Sequence, residues 1–174
     1  GRKPPYWDLG WQAAERATDG DFALGTVGGG YGTTTVTLKG GVGSASTVTA
    51  SGFRVAAIAV VNSVGSVTIG DRPHFWAASV EVGKEFCGLG MPAHLAPSDL
   101  ALRMKGGRQP ATTIGLVATD AILTKPQAKR LAIMADDGLA RAVRPAHAPM
   151  DGDTVFAVAT QKKPLTEPLP DMTE

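Results

Sequence analysis

The chain has very little of several things, and each shortage excludes something. It has 174 residues, and one of them, Cys87, is a cysteine. An internal disulfide is therefore impossible, and a reducing, cytoplasmic setting is expected. It has three histidines, His74, His94 and His147. None stands at metal-ligand spacing with another or with Cys87, so they are expected to be surface or loop residues and no metal is expected. The net charge is +1, which offers no electrostatic attraction to nucleic acid or to an anionic membrane. The longest unbroken apolar run, residues 55–61, is far too short to cross a bilayer. The opening Gly1-Arg2-Lys3-Pro4 carries no signal-peptide pattern and reads like the interior of a longer protein.

Glycine, in contrast, is abundant at 22 residues. It clusters at 25–32 and 40–43 between apolar runs, which points to tight turns and close backbone approaches rather than disorder. The run Gly28-Gly29-Gly30-Tyr31-Gly32 does not fit a dinucleotide site, because a strand pattern and not a helix follows it. It reads as backbone bending, with Tyr31 as a pocket residue.

Local patterns then predict the elements. A short helix is expected over 11–18, ended by Gly20. Strands are expected over 22–27 and 33–38, with a turn and a small-residue passage after Lys39-Gly40-Gly41. Residues 53–61 read as a central strand buried on both faces, with 64–69 as a partner strand. Residues 74–110 lack periodicity and read as a long surface connection. A strand follows over 112–119. Thr124, Pro126 and Gln127 form a helix start with a capping box. Ala128, Leu131, Ala132, Ala135, Leu139 and Ala142 then make one apolar stripe, so the helix runs to about Val143. Lys125, Lys129 and Arg130 fall on its solvated face. Asp151-Gly152-Asp153 is a turn, a strand covers 154–160, and a Pro-rich polar tail starts at Gln161. Asp120 is expected to shape the strand-to-helix turn.

The strand, helix and strand after residue 111 permit a geometric deduction. Eight extended residues span roughly 26 Å, and an 18-residue helix spans roughly 27 Å. The helix thus returns the chain to the edge where the first strand began, and two strands in one sheet must then be parallel. Thr112 and the pair Asp151/Asp153 are expected to meet there, with both carboxylates pointing at one spot.

That constellation suits nucleophilic chemistry. A threonine hydroxyl is weak without a base, but an N-terminal threonine carries its own amine for that role. Attack by Thr112 on the carbonyl of Ala111 would create such an N-terminus, and a nearby carboxylate can orient the hydroxyl or relay protons. The tetrahedral oxyanion needs a donor, and Asn62, a lone amide at the end of a hydrophobic strand, qualifies. On pattern alone, the same residues also read as a strand start, turn aspartates and a strand-end amide.

The motifs Ala111-Thr112-Thr113-Ile114-Gly115-Leu116-Val117-Ala118-Thr119-Asp120-Ala121, Gly138-Leu139-Ala140-Arg141-Ala142 and Asp151-Gly152-Asp153-Thr154-Val155-Phe156-Ala157 resemble the self-processing aminopeptidase family. That family includes L-aminopeptidase/D-esterases, β-aminopeptidases and nylon-oligomer hydrolases. Gly25-Thr26-Val27-Gly28-Gly29-Gly30, Lys39-Gly40-Gly41-Val42-Gly43-Ser44-Ala45-Ser46 and Val60-Val61-Asn62-Ser63-Val64-Gly65 are similar to it as well, in the same order. The resemblance implies an α+β fold, a four-layer αββα sandwich of the N-terminal-nucleophile type, incomplete here and forming one structural domain. It implies self-cleavage at Ala111-Thr112, so that 1–111 is the end of the upstream fragment and 112–174 the fragment that begins with the nucleophile.

The resemblance also assigns roles: Thr112 as nucleophile, Asp151 and Asp153 as acidic partners, Asn62 as oxyanion donor and Lys39 as a site lysine. The Asp-Gly-Asp matches the nylon-hydrolase branch. The implied substrate is a short peptide, β-peptide or ω-amino-acid amide, with no cofactor, and the implied assembly is a homotetramer. Two departures stand out: Ala111 replaces the usual Asn or Gly, and family members are about twice as long, with a site tyrosine in their N-terminal portion. Acyl transfer of the ornithine-acetyltransferase kind and a non-catalytic binding module are the alternatives.

Overall fold

The computed structural model describes residues 4–106 and 111–165. Its centre is a sheet of four strands in chain order, β1 (Gly41–Val48), β2 (Arg54–Val61), β3 (Ile114–Ala121) and β4 (Thr154–Lys163). β1 and β2 are antiparallel, as are β2 and β3, whereas β3 and β4 are parallel. Two helices accompany the sheet, α1 (Tyr6–Glu15) and α2 (Lys125–Ala142). α2 is the crossover between β3 and β4 and packs on both. Its half-buried residues include the six stripe positions expected from the sequence, while Lys125, Lys129 and Arg130 are exposed. At its start, the Gln127 side-chain oxygen accepts the backbone N–H and the hydroxyl of Thr124, each at 2.8 Å. A cap of this kind is worth about 1 kcal/mol.

The side chains alternate across the sheet. Gly115, Val117 and Thr119 are buried towards α2. On the opposite face Ile58, Leu116 and Phe156 form one cross-strand row and Ala56, Ala118 and Val158 the next. That face is open: Phe156 is 55% and Ile114 49% exposed. A sheet with a helix on one side supplies two of the layers of a four-layer sandwich.

Several expected elements differ. The first helix begins at Tyr6 and not Trp11, directly after Pro4 and Pro5, and has no buried residue. Residues 22–27 and 33–38 are not strands. Each makes a single bridge, Gly25 to Val42 and Thr34 to Lys39, because glycines turn the chain between them. Gly28 and Gly32 have positive φ, and a Cβ on Gly30 would sit 2.7 Å from the Val42 nitrogen. The small-residue passage is strand β1 instead. Gly, Ser and Ala have low strand propensity, but eight consecutive residues pair with β2 and override it.

β2 is central, as expected, but is half-buried and not buried on both faces. Residues 64–69 do not pair as one strand. Gly65 bridges Met104, Ser66 bridges Arg144 and Thr68 bridges Phe75. Val64 and Ile69 lie in the core, but three different segments provide the partners of this stretch. The connection over 74–110 contains two short 3-10 turns, Trp76–Val80 and Pro97–Leu100, and part of it, 107–110, lies outside the described residues. β3 starts two residues later than expected. β4 runs three residues further, to Lys163, so the tail begins later, and most of it lies outside the described residues. Asp120 ties strand ends together and does not shape a turn: it accepts the Arg54 N–H at 2.8 Å and lies 3.4 Å from Lys163 Nζ.

Candidate active site

The parallel pairing of β3 with β4 puts their N-termini at one sheet edge, as the element lengths require. Ala111 and Asp151 extend that pairing by a parallel bridge. The Gly152 N–H donates to the Ala111 carbonyl at 3.0 Å, and the Thr154 N–H donates to the Thr113 carbonyl at 3.0 Å. The antiparallel neighbour β2 ends beside them, where the Thr112 N–H donates to the Asn62 carbonyl at 2.9 Å. Thr112, Asn62, Asp151 and Asp153, spread over 92 positions of sequence numbering from 62 to 153, therefore share one edge.

Around the Ala111-Thr112 bond the geometry is tight. The Thr112 hydroxyl donates to the Ala111 carbonyl oxygen at 2.6 Å. That oxygen thus accepts from both Thr112 Oγ1 and the Gly152 N–H. Ala111 is 4% exposed, so these bonds operate away from bulk water, where they are electrostatically stronger.

The two carboxylates divide and do not converge on the hydroxyl, which corrects the expectation from spacing. Asp153 Oδ1 accepts the Thr113 N–H at 2.7 Å. Asp151 Oδ1 accepts the Val64 N–H at 3.0 Å, and its Oδ2 accepts the Ala148 N–H at 3.3 Å. Alternation explains why Asp153 meets Thr113 and not Thr112: Asp153 shares a face with Val155 and with the α2 side of the sheet, and Thr112 lies on the other. Thr113, only 1% exposed, has a hydroxyl with no hydrogen-bond partner among the described residues.

Two residues that the sequence did not single out join the cluster. Lys105 Nζ donates to Asn62 Oδ1 at 2.8 Å, alongside the Thr34 N–H at 3.1 Å. Both bonds hold the amide with its oxygen turned towards these donors. Burial holds the Lys105 ammonium below the usual lysine range, and the Asp151 carboxylate opposes that shift. His147 is an exposed loop residue, as expected, but it stands against two acids. Its Nδ1 lies 3.0 Å from Asp153 Oδ2, and its Nε2 lies 3.8 Å from Asp136 Oδ2 on α2. No spacing rule connects Lys105 with Asn62, but the nearness of His147 to Asp153 in sequence was an available signal.

The remaining expectations fall outside this cluster. Lys39 is exposed, and its backbone bridges Thr34, the residue whose N–H reaches Asn62. Tyr31 is 81% exposed. A hollow of about 430 Å³ lined by Thr37, Thr68, Phe75, Cys87 and Leu89 includes no residue of the cluster. Among the described residues, no group of three His, Cys, Asp or Glu side chains is arranged to hold a metal ion, and no helix is long and apolar enough to cross a membrane.

Comparison with known proteins finds relatives of this chain in sequence and in fold. The profile of Peptidase family S58 matches residues 8–174. An "uncharacterized aminopeptidase" of Mycobacterium tuberculosis is 45% identical over 159 residues, which is 90% of this chain and 45% of that protein. The β-peptidyl aminopeptidase BapA of Sphingosinicella microcystinivorans is 33% identical over 132 residues, 75% of this chain and 32% of the relative. The chain thus spans less than half the length of these relatives. Among solved structures, the L-aminopeptidase D-Ala-esterase/amidase of Ochrobactrum anthropi, described as a variant of the Ntn hydrolase fold, superposes with a TM-score of 0.56. The match covers 94% of this chain and 39% of that one, at 24% identity, which speaks for the fold alone.

Proposed function

Because the chain belongs to peptidase family S58, we propose that it carries the nucleophile of a self-cleaving aminopeptidase, released as the N-terminal residue Thr112. The observation that carries this reading is the Thr112 hydroxyl at 2.6 Å from the Ala111 carbonyl oxygen. As Thr112 Oγ bonds to the Ala111 carbonyl carbon, its proton leaves and the carbonyl electron pair moves to oxygen. Collapse expels the Thr112 nitrogen, which takes up a proton, and an ester links the two residues. Water then adds to the ester, leaving an Ala111 carboxylate and a Thr112 with a free amine and a restored hydroxyl. The new amine activates the hydroxyl for attack on a substrate amide.

Asn62 supplies the amide donor for the substrate oxyanion. The Asp153 carboxylate, one residue from the new terminus, holds the backbone at Thr113 and attracts the ammonium. A short peptide or β-peptide with a free amine is the substrate class that this site suits, and Lys39 stands beside it through Thr34, whose N–H reaches Asn62. Homotetrameric assembly in a reducing, cytoplasmic setting completes the reading.

N-terminal sequencing of the purified protein tests it. A fragment beginning Thr-Thr-Ile-Gly is the expected result, and a protein that stays whole while hydrolysing aminoacyl-anilides would overturn it. Lys105→Met removes a charged donor from Asn62, an interaction worth about 1.5–3 kcal/mol. Turnover is expected to fall roughly 10- to 100-fold, measured as kcat on an aminoacyl-anilide, with Lys105→Arg retaining more of it.

A further inference from the structure

The residue between the two aspartates, Gly152, has no side chain, yet its backbone meets the carbonyl of the Ala111-Thr112 bond. Its N–H donates at 3.0 Å to the Ala111 carbonyl oxygen, the atom on which negative charge develops during scission. A Cβ built on Gly152 would lie 2.7 Å from Thr112 Oγ1, 3.6 Å from its Cγ2 and 3.7 Å from its Cβ. The first distance is closer than real Cβ atoms approach, so the space that the hydroxyl occupies is the space that a side chain at 152 would take. Gly152 is not among the residues with positive φ. It therefore does not occupy the left-handed region that favours glycine.

We propose that Gly152 is a catalytic residue of self-cleavage, whose N–H stabilises the oxyanion on Ala111 and whose missing side chain admits the Thr112 hydroxyl. This rests on the reading of Ala111-Thr112 as the cleaved bond. A donor serves an oxyanion best when it is already aimed and cannot relax away. Gly152 meets that condition because both neighbours are pinned: Asp151 accepts the Val64 and Ala148 N–H groups, and Asp153 accepts the Thr113 N–H. In this view the paired carboxylates clamp the turn so that the amide between them stays on the scissile carbonyl. The 3.0 Å bond is also a rung of the β3–β4 pairing, so a purely structural role makes a different prediction, and experiment can separate the two.

The test uses the protein with all of its natural sequence, followed by intact-mass measurement over time after synthesis. Gly152→Ala is expected to keep the fold and to slow scission about 100-fold, because displacing a reacting group by about 1 Å has that scale of effect. Adding Thr112→Ser to it is expected to recover at least part of that loss. A serine hydroxyl lacks the methyl that restricts rotation and can swing away from the new Cβ. Replacing residue 152 by glycolic acid, which exchanges only its N–H for an ester oxygen, is expected to slow scission about 100- to 1,000-fold, and this variant decides alone if Gly152→Ala does not fold. Scission at the wild-type rate in the ester variant, or in a folded Gly152→Ala protein, would overturn the inference while leaving the reading of the cleaved bond intact. A wild-type protein never cut at Ala111-Thr112 would remove both.

Discussion

Thr112→Ala is expected to leave the chain in one piece and to abolish turnover. The substitution removes the only hydroxyl bonded to the Ala111 carbonyl among the described residues, and with it both the attacking atom for scission and the nucleophile for substrate. Loss of a nucleophile in a hydrolase costs on the order of 10⁶ in kcat. The fold should survive, because the Thr112 N–H still donates to the Asn62 carbonyl and alanine only deletes a small partly exposed side chain. A single full-length species with an unchanged unfolding temperature is therefore the expected outcome. Thr112→Ser, which keeps the hydroxyl, should still be cut. Normal fragments and normal turnover in Thr112→Ala would end the proposal that this residue is the nucleophile.

Asp153 should produce the second large effect, and two substitutions separate its roles. Its side chain is 7% exposed and holds the Thr113 N–H at 2.7 Å and His147 at 3.0 Å. Asp153→Ala leaves that N–H without its partner in the interior, at a cost of about 1–3 kcal/mol, or a fall in unfolding temperature of roughly 2–12 °C for a domain of this size. Asp153→Asn keeps an oxygen for the Thr113 N–H but removes the charge. It is expected to unfold near the wild-type temperature while scission and turnover slow by about 100-fold or more. Thermal unfolding measured beside kcat reads the two effects apart. If both variants kept full activity, the carboxylate would be structural only.

The way the two acids divide shows where reading by pattern stops. Element lengths brought Asp151 and Asp153 to the edge that Thr112 shares, but spacing at i and i+2 did not give their separate partners. Nor did it reveal that Thr113, and not Thr112, lies on the Asp153 side of the sheet, because the parity of β3 against β4 is fixed by the pairing of the strands. β1 escaped detection for a related reason: residues such as Gly43, Ser44 and Ala45 have little preference for extended structure, and β2 imposes it on them. Residues 22–27 had the opposite problem, with a good strand pattern but only one bridge to make.

By itself the sequence determined the strand, helix and strand after residue 111, since apolar periodicity, a capping box and element length are all local properties. Chain dimensions then forced the two strand starts together, and the ordered motifs identified the family. Only the tertiary structure decided which atoms meet at that edge: Lys105 against Asn62, His147 between Asp136 and Asp153, the Gly152 N–H on the Ala111 carbonyl. These contacts join segments whose separation along the chain carries no periodic signal, and they form because packing and strand register set which polar groups face one another.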